Sequence, residues 1–515
     1  MKTQAVSFCF VVALCLATSA SPAQTFTTLA SFHKTVGYSP DAALIRGADG
    51  NFYGGTPSGG RYRGPCYPLG CGTVFKVSPS GQLTAVHSFD VTDGNGASGP
   101  LALAADGNFY GTTGGGTFSC GTAFKITPDG TLTTLYNFNC SDGAWPNGLI
   151  QATDGNFYGT TTLGGVYGYL GGTVFKITPA GVEDVLYNFT GGADGQFPSA
   201  GLTQATDGNF YGTTFSGGAN QFCQGVGNLL VGCGTVFEIT PKGKLTTLYN
   251  FCSQSDCADG VIPSAGLIQG GDGNLYGTTS VELGISPGTV FRVTAEGVLT
   301  NLYTFCSQLN CADGEWPNGL IQATDGNLYG TTNVGGDDNS GTVFKMTLEG
   351  NLTTLHSFCS RPNCNDGISP NAALVQGTDG NLYGTASEGG TRWCPSTDNV
   401  VSCGTAFSRS LGLAPFVETI PTSGTLGAKT IILGNNLTGT TTVSFNGTPA
   451  KFEVVSDTEI TTKVPEGTTT GPVTVTTPRG TLTSNVPFIV HLLSTYSGQL
   501  TKPDGMRMAV SGGMR

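Results

Sequence analysis

Short apolar runs broken by polar turns fill most of the chain. One stretch holds the whole pattern: Leu132-Thr-Thr-Leu-Tyr-Asn-Phe138, Gly148-Leu-Ile-Gln-Ala152, Phe157-Tyr-Gly-Thr-Thr161 and Gly172-Thr-Val-Phe-Lys-Ile-Thr-Pro179. Each run is rich in Val, Ile, Leu, Thr, Tyr and Phe and is bounded by Gly, Pro, Asn or Asp, which is how a strand reads. Within one unit the strands follow the order A (Gly-Leu-Ile-Gln-Ala), B (Phe-Tyr-Gly-Thr-Thr), C (Gly-Thr-Val-Phe-Lys-Ile-Thr) and D (Leu-Thr-Thr-Leu-Tyr-Asn-Phe). Asp-Gly-Asn joins A to B as a tight hairpin, because Gly and Asn tolerate positive φ. Thr-Pro-x-Gly joins C to D, with Pro presetting φ.

The unit repeats. Asp-Gly-Asn begins at Asp49, Asp106, Asp154, Asp207, Asp272, Asp325 and Asp379, and the start of strand C falls at Gly72, Gly121, Gly172, Gly234, Gly288, Gly341 and Gly404. Four antiparallel strands recurring at roughly 50–60 residues predict the blades of a propeller. The first D strand, Thr25-Phe-Thr-Thr-Leu-Ala-Ser-Phe32, precedes every blade, and none follows the last C strand at Gly404–Ser408. The C-to-D turn accordingly occurs only near Pro79, Pro128, Pro179, Pro241, Ala295 and Leu348. These offsets predict a seven-bladed ring closed three-plus-one, with the N-terminal strand completing the final blade and leaving no free edge.

Composition narrows the class. Charged residues are only 11% of the chain, and 22 Lys and Arg against 34 Asp and Glu give a net charge of -12. Such a balance disfavours nucleic acid or an anionic bilayer as partner. Residues 1–23 read as a signal peptide, with Lys2, the apolar run Phe8–Leu16 and small residues at Ala20 and Ala23. That run is too short for a permanent span, so the mature chain is expected to carry no membrane span and to be extracytoplasmic, secreted or at the cell surface. Cys15 follows a bulky Leu, a poor context for lipidation.

With Cys9 and Cys15 in the leader, fourteen of the 16 cysteines remain in an exported chain, where disulfides are the default. Spacing suggests Cys66–Cys71, Cys223–Cys233 and Cys394–Cys403 in B-to-C loops, and Cys252–Cys257, Cys306–Cys311 and Cys359–Cys364 in D-to-A loops. Cys120 and Cys140 flank one C–D hairpin and face each other across it. The Cys-x2-Cys spacing of zinc sites is missing, and no metal or other cofactor is expected.

The missing Trp-Asp dipeptides argue against WD40 blades, while the Gly pairs at Gly59, Gly164, Gly217, Gly335 and Gly389 keep kelch repeats as second choice. The units over residues 25–410 more closely resemble the Gloeobacter/Verrucomicrobia (GloVer) repeat of bacterial surface proteins, a resemblance that implies a propeller and transfers no catalytic residues. After the link at Leu411–Pro415 the composition turns Thr- and Val-rich. Ile431-Ile-Leu-Gly-Asn-Asn436, Val443-Ser-Phe-Asn-Gly447 and Gly471-Pro-Val-Thr-Val475 resemble the IPT/TIG family over residues 414–490. The expected domains are therefore a signal peptide at 1–23, a propeller at 24–411 and an immunoglobulin-like β-sandwich at 412–490. Residues 491–515 show no strand pattern and are expected to fray as a disordered tail.

Antiparallel order puts the A–B and C–D turns on one rim and the variable B–C and D–A loops on the other. The second rim holds every predicted disulfide and Trp145, Trp316 and Trp393, so function is expected there and at the channel mouth. Turn geometry explains the repeated Asp of Asp-Gly-Asn better than a ring of carboxylates does. The loop acids Asp142, Asp194, Asp259, Asp313 and Asp366 also precede Gly and suit turn capping. Their face makes Asp142 and Asp313, with the three tryptophans, the candidate ligand contacts. Asp337-Asp338-Asn339 is too short a run to diagnose a metal. His87 and His356 take the Tyr position of strand D and read as packed side chains. Gly284-Ile-Ser-Pro-Gly288 matches a nucleophile-elbow string but has no following helix. A non-catalytic binding or adhesion protein for an extracellular glycan or surface protein is expected. The alternative is a polysaccharide lyase or hydrolase with its site at the channel mouth.

Overall fold

The computed structural model describes residues 24–491, apart from 62–65, 67–68, 98, 169–170, 221–222, 225–229, 281–285 and 396–399, together with 497–501 and 507–511. The proposed leader and Gly284 of the elbow string lie outside these residues. Seven sheets run in the order A-B-C-D. In the first blade these strands are Ile45–Arg46, Phe52–Thr56, Thr73–Val77 and Leu83–Ser88. Strand A is shorter than its apolar pattern suggests, because only two residues pair with strand B in each blade, as Ile45 with Tyr53 and Arg46 with Phe52.

The chain start closes the ring. Phe26–Ser31 pairs antiparallel with Thr405–Arg409, the C strand of blade 7, with Phe26 opposite Arg409 and Ser31 opposite Thr405. Phe26 stacks on His356 at 3.6 Å, and the Arg361 guanidinium sits over its ring while donating to the Phe26 carbonyl at 2.9 Å. His356 is thus a packed ring, as its place in strand D predicts. Its Nε2 lies 3.1 Å from Asp366 Oδ2.

One aromatic contact recurs at every junction. The Phe ending strand D meets the Phe of the next blade's strand C edge-on: Phe89–Phe124, Phe138–Phe175, Phe189–Phe237, Phe251–Phe291, Phe305–Phe344, Phe358–Phe407 and, across the closure, Phe32–Phe75. Centroids lie 4.8–5.4 Å apart. Each such pair contributes about 0.5–1.5 kcal/mol beyond its buried area. The cluster uniting Phe32, Phe52, Phe75, Tyr383 and Ala406 gives blades 7 and 1 a core like that between any other two.

Polar repeats are equally regular. In every blade the Tyr of strand B donates to the Asp of the A–B turn, as Tyr158 does to Asp154 at 2.9 Å, and the Asn two residues on donates its N–H to the same carboxylate. These aspartates are turn residues anchored from below, as the local sequence suggests. The strand-A glutamines Gln151, Gln204, Gln269, Gln322 and Gln376 each accept the N–H of a residue in the preceding blade's A–B turn, at 2.8–3.0 Å.

The second domain is a sandwich of two four-stranded sheets, Glu418–Ile420, Lys429–Leu433, Glu459–Lys463 and Phe452–Val454 against Thr448–Pro449, Thr442–Phe445, Val473–Thr477 and Gly480–Thr483. Its core is Ile432, Val443, Phe445, Ile460, Val473, Val475 and Phe488. The tail differs from expectation: Ser497–Thr501 pairs with Arg507–Ser511 as a hairpin.

The sandwich docks where the glutamine series is interrupted. Blades 1 and 2 carry Arg46 and Leu103 at that position. Arg46, 3% exposed, donates to the Gly434 carbonyl at 2.6 Å and to Asn435 Oδ1 at 3.3 Å. Leu103 shares a cluster with Ile431 and Leu433 of the sandwich, and Thr458 donates to the Ala48 carbonyl at 2.6 Å. Burial lowers the Arg46 pKa, and the Glu418 carboxylate is the first charge opposing that shift. Arg46→Gln restores the repeat residue but loses charge-assisted bonds each worth about 1.5–3 kcal/mol. It is expected to undock the sandwich, read as a larger radius of gyration and faster proteolysis in the 411–415 link with the propeller intact.

Candidate functional site

The A–B rim is partly covered by the sandwich, which leaves the loop rim as the open face of the propeller. Its framework is disulfide-bonded as the spacing suggests: Cys66–Cys71, Cys120–Cys140, Cys223–Cys233, Cys252–Cys257, Cys306–Cys311, Cys359–Cys364 and Cys394–Cys403.

A shared backbone device shapes this face. In six of the seven blades the D–A loop brings a Pro onto the Gly that opens the preceding blade's strand C; the loop entering blade 2 has Ala97 there instead. A Cβ on Gly121 would lie 2.2 Å from Pro146 Cδ, and one on Gly288 would lie 2.4 Å from Pro317 Cδ. The residue before that Pro is left-handed in six blades: Ser39, Trp145, Phe197, Ile262, Trp316 and Ser369, with φ between 52° and 58°. A bulky residue there is uncommon and costs of order 1–3 kcal/mol, sustained only because the surroundings over-determine it. The architecture imposes the conformation. The sequence chooses the side chain, and blades 3 to 6 carry Trp145, Phe197, Ile262 and Trp316 in succession.

Trp145 is 54% exposed and Trp316 39%. They lie in short added strands, Ala144–Pro146 and Glu315–Pro317, that pair with extensions of strand B in blades 3 and 6. The Trp145 N–H donates to the Cys120 carbonyl at 2.8 Å, fixing the loop to the preceding blade. Trp393, 74% exposed, stands on another element, the hairpin Trp393–Pro395 with Val400–Ser402 in blade 7. The three tryptophans therefore share a face but not a local framework.

The acids are placed otherwise. Asp313 is 0% exposed, so the expected ligand contact is corrected. Its Oδ2 accepts from the Tyr303 and Ser307 hydroxyls and the Ser307 N–H at 2.8–3.0 Å, and its Oδ1 from the Gln308 N–H at 3.2 Å. The loop folds over its own carboxylate because an ion buried at 0% exposure would otherwise lack partners. Asp259 and Asp366 are enclosed in the same way. Burial alone would raise the Asp366 carboxyl, but hydrogen bonds from His356 and Ser360 hold it below the usual range. Asp142 is half-buried and accepts from the Tyr136 hydroxyl at 2.6 Å and the Asn139 N–H at 3.0 Å. All of these acids brace loops.

Two acids escaped the sequence reading. Glu183 takes the place of the Leu that opens other D strands, and burial first, then the Asp142 charge, pushes it up to about 7. Asp41 follows Pro40 where blades 3, 6 and 7 have Asn147, Asn318 and Asn371. Its Oδ1 is buried without a hydrogen-bond partner among the described residues, and burial pushes its pKa up to about 7. Both are visible in the sequence as departures from the repeat.

Ser286 of the elbow string is buried and its hydroxyl accepts the Gly288 N–H at 3.2 Å, a local turn. Among the described residues no group of three or more His, Cys, Asp or Glu is placed to hold a metal, and no helix is long and apolar enough to cross a membrane. A cleft of about 1130 Å³ opens between the blade 2 A–B turn and the sandwich, lined by Lys429, Lys451 and Lys463 and by Glu453, Glu459 and Glu466. Its charges are of both signs, and it contains none of the predicted contacts.

Similar solved structures include a protein assigned as a gluconolactonase (12% identity, 76% of this chain and 92% of that one, TM-score 0.35). Another is assigned as a 6-phosphogluconolactonase from Bacteroides uniformis (16% identity, 61% and 83%, TM-score 0.40). A third is the extracellular domain of a protein assigned as a hybrid two-component system from B. thetaiotaomicron (10% identity, 94% and 51%, TM-score 0.44). No curated protein matches the sequence. The IPT/TIG domain model matches residues 415–490, the sandwich described above. The Gloeobacter/Verrucomicrobia repeat model matches residues 16–169, 145–397 and 225–448, and the chain, a ring of these repeats closed by its own first strand, belongs to that family.

Proposed function

We propose that the chain is an extracytoplasmic, non-catalytic binding protein whose loop rim receives a glycan, with Trp145 and Trp316 as stacking platforms. The observation that supports this reading most is the run of Trp145, Phe197, Ile262 and Trp316, held in left-handed backbone on consecutive blades of the open face. Aromatic faces suit the apolar faces of sugar rings, and strained backbone at an exposed aromatic is where ligand contact is sought. Disulfides staple the loops of Trp145, Ile262 and Trp316, which lowers the ordering cost of binding. A protein ligand on the same crescent is the competing occupant.

The test is retention of the purified mature chain on a panel of neutral and acidic polysaccharides, scored for released product as well. Trp145→Ala with Trp316→Ala is expected to weaken retention about tenfold or more while leaving the melting curve in place. Unchanged retention by the double variant removes the crescent from the reading, and steady product release replaces the binder with a lyase or hydrolase.

A further inference from the structure

The Lys and Arg residues of the loop rim are confined to one sector. Among the described residues they are Lys34 in the loop entering blade 1, Arg61 in its B–C loop, Arg361 in the loop entering blade 7 and Arg392 in the B–C loop of blade 7. The D–A and B–C loops of blades 2 to 5 carry none among the described residues. In a chain of net charge -12 this is a local reversal of sign.

Arg361 is committed to the N-terminal strand through the Phe26 carbonyl. The others belong to three segments bonded to one another. The Gly60 N–H donates to the Lys34 carbonyl at 2.8 Å, which places Arg61 beside the turn holding His33 and Lys34. Thr391, next to Arg392, donates its N–H and hydroxyl to Ser31 Oγ at 3.1 and 3.2 Å. The Cys403 N–H donates to the Arg392 carbonyl at 3.1 Å, and Cys403 is bonded to Cys394. Burial, and then the Arg392 charge, lowers the His33 pKa, so these groups lie within electrostatic reach. Arg61, Arg392 and Trp393 are exposed, and Glu388 is an exposed acid opening the same blade 7 loop.

We infer that the closure seam is an anion-recognising subsite for an acidic polysaccharide, in which Arg61 and Arg392 meet sugar carboxylates and Trp393 stacks on a sugar ring. Guanidinium forks match carboxylates bidentately, and an adjacent indole adds the contact that a bare anion exchanger lacks. The left-handed positions of this sector are Ser39 and Ser369, so the aromatic crescent ends where the basic sector begins. This inference rests on the glycan reading above and names the class of glycan.

Polygalacturonate, its fully methyl-esterified form and poly-glutamate separate the possibilities when each is immobilised and presented to the full mature chain. Retention of polygalacturonate, weak retention of the ester and loss of binding at high salt are expected. Arg61→Gln with Arg392→Gln, and separately Trp393→Ala, are expected to weaken it about tenfold, while Arg392→Lys, which keeps the charge and loses the fork, gives an intermediate loss; melting curves show that each variant folds. Equal retention of acid and ester, no retention of either, or indifference to the double Arg variant overturns the inference. Retention of poly-glutamate as strong as that of polygalacturonate and indifferent to Trp393 also overturns it, by reducing the patch to a general anion exchanger. Loss of neutral-glycan binding in the Trp145/Trp316 variant, with polygalacturonate retention intact, assigns the two sectors separately, so either reading can fail without the other.

Discussion

Phe32→Ala is expected to destabilise the propeller by about 3–5 kcal/mol, although it alters a residue only a few positions into the described chain. Phe32 is fully buried, packs edge-on against Phe75 and belongs to the cluster joining blades 7 and 1. Its truncation removes the same ring contact that Phe89→Ala removes between blades 1 and 2. The two variants should therefore shift the denaturant midpoint by similar amounts. A terminal segment that merely lay on the surface would change stability by less than about 0.5 kcal/mol. That outcome for Phe32→Ala, beside a large effect of Phe89→Ala, would falsify the three-plus-one closure. Deleting residues 24–32 is the more drastic version, since it bares the edge of Thr405–Arg409 and should produce aggregation through that strand.

Asp41→Asn is expected to stabilise the protein at pH 8 by up to about 4 kcal/mol and to change little at pH 3. The carboxyl titrates near its ordinary 3.8 in the unfolded chain and at about 7 in the folded one, because burial disfavours the ion. With the folded value above the unfolded one, the folded state holds the extra proton between them. Asp41 is thus harmless below pH 3.8, and its burden grows up to about pH 7 at roughly 1.4 kcal/mol per unit. Asn carries no charge to desolvate and is already the residue at the equivalent positions 147, 318 and 371. Glu183, raised from 4.5 to about 7, acts in the same direction, so the variant should keep a shallower decline rather than a flat profile. Unfolding curves at several pH values decide it: a stability difference independent of pH would mean that Asp41 is not the buried ion described.

Much of the site's frame could be read before any coordinates. Cys120 and Cys140 flank a hairpin whose turn is set by Pro128 and Gly130, so register alone brings them opposite. The place of Trp145 and Trp316 on the loop rim follows from strand order. Their left-handed backbone does not, because a residue before Pro is ordinarily extended and the Pro that follows packs on a Gly of another blade. Asp313 misled for a related reason: Asp-Gly in a loop reads as an exposed turn, and only the folded loop reveals Tyr303, Ser307 and Gln308 converging on the carboxylate. The glutamine series was present in the sequence, yet the meaning of its interruption at Arg46 and Leu103 depends on what lies against those residues.

The sequence by itself determined the blade, its repetition and the displaced D strand, and so the closure, because those are fixed by local strand and turn chemistry repeated in register. Tertiary structure alone decided which rim stays open, which loop acids are sealed inside and where the few basic side chains gather. Those properties arise between segments far apart in the chain, the sandwich with Arg46, Pro146 with Gly121, and Arg392 with His33. A pattern read within one segment cannot contain the partner that another segment supplies.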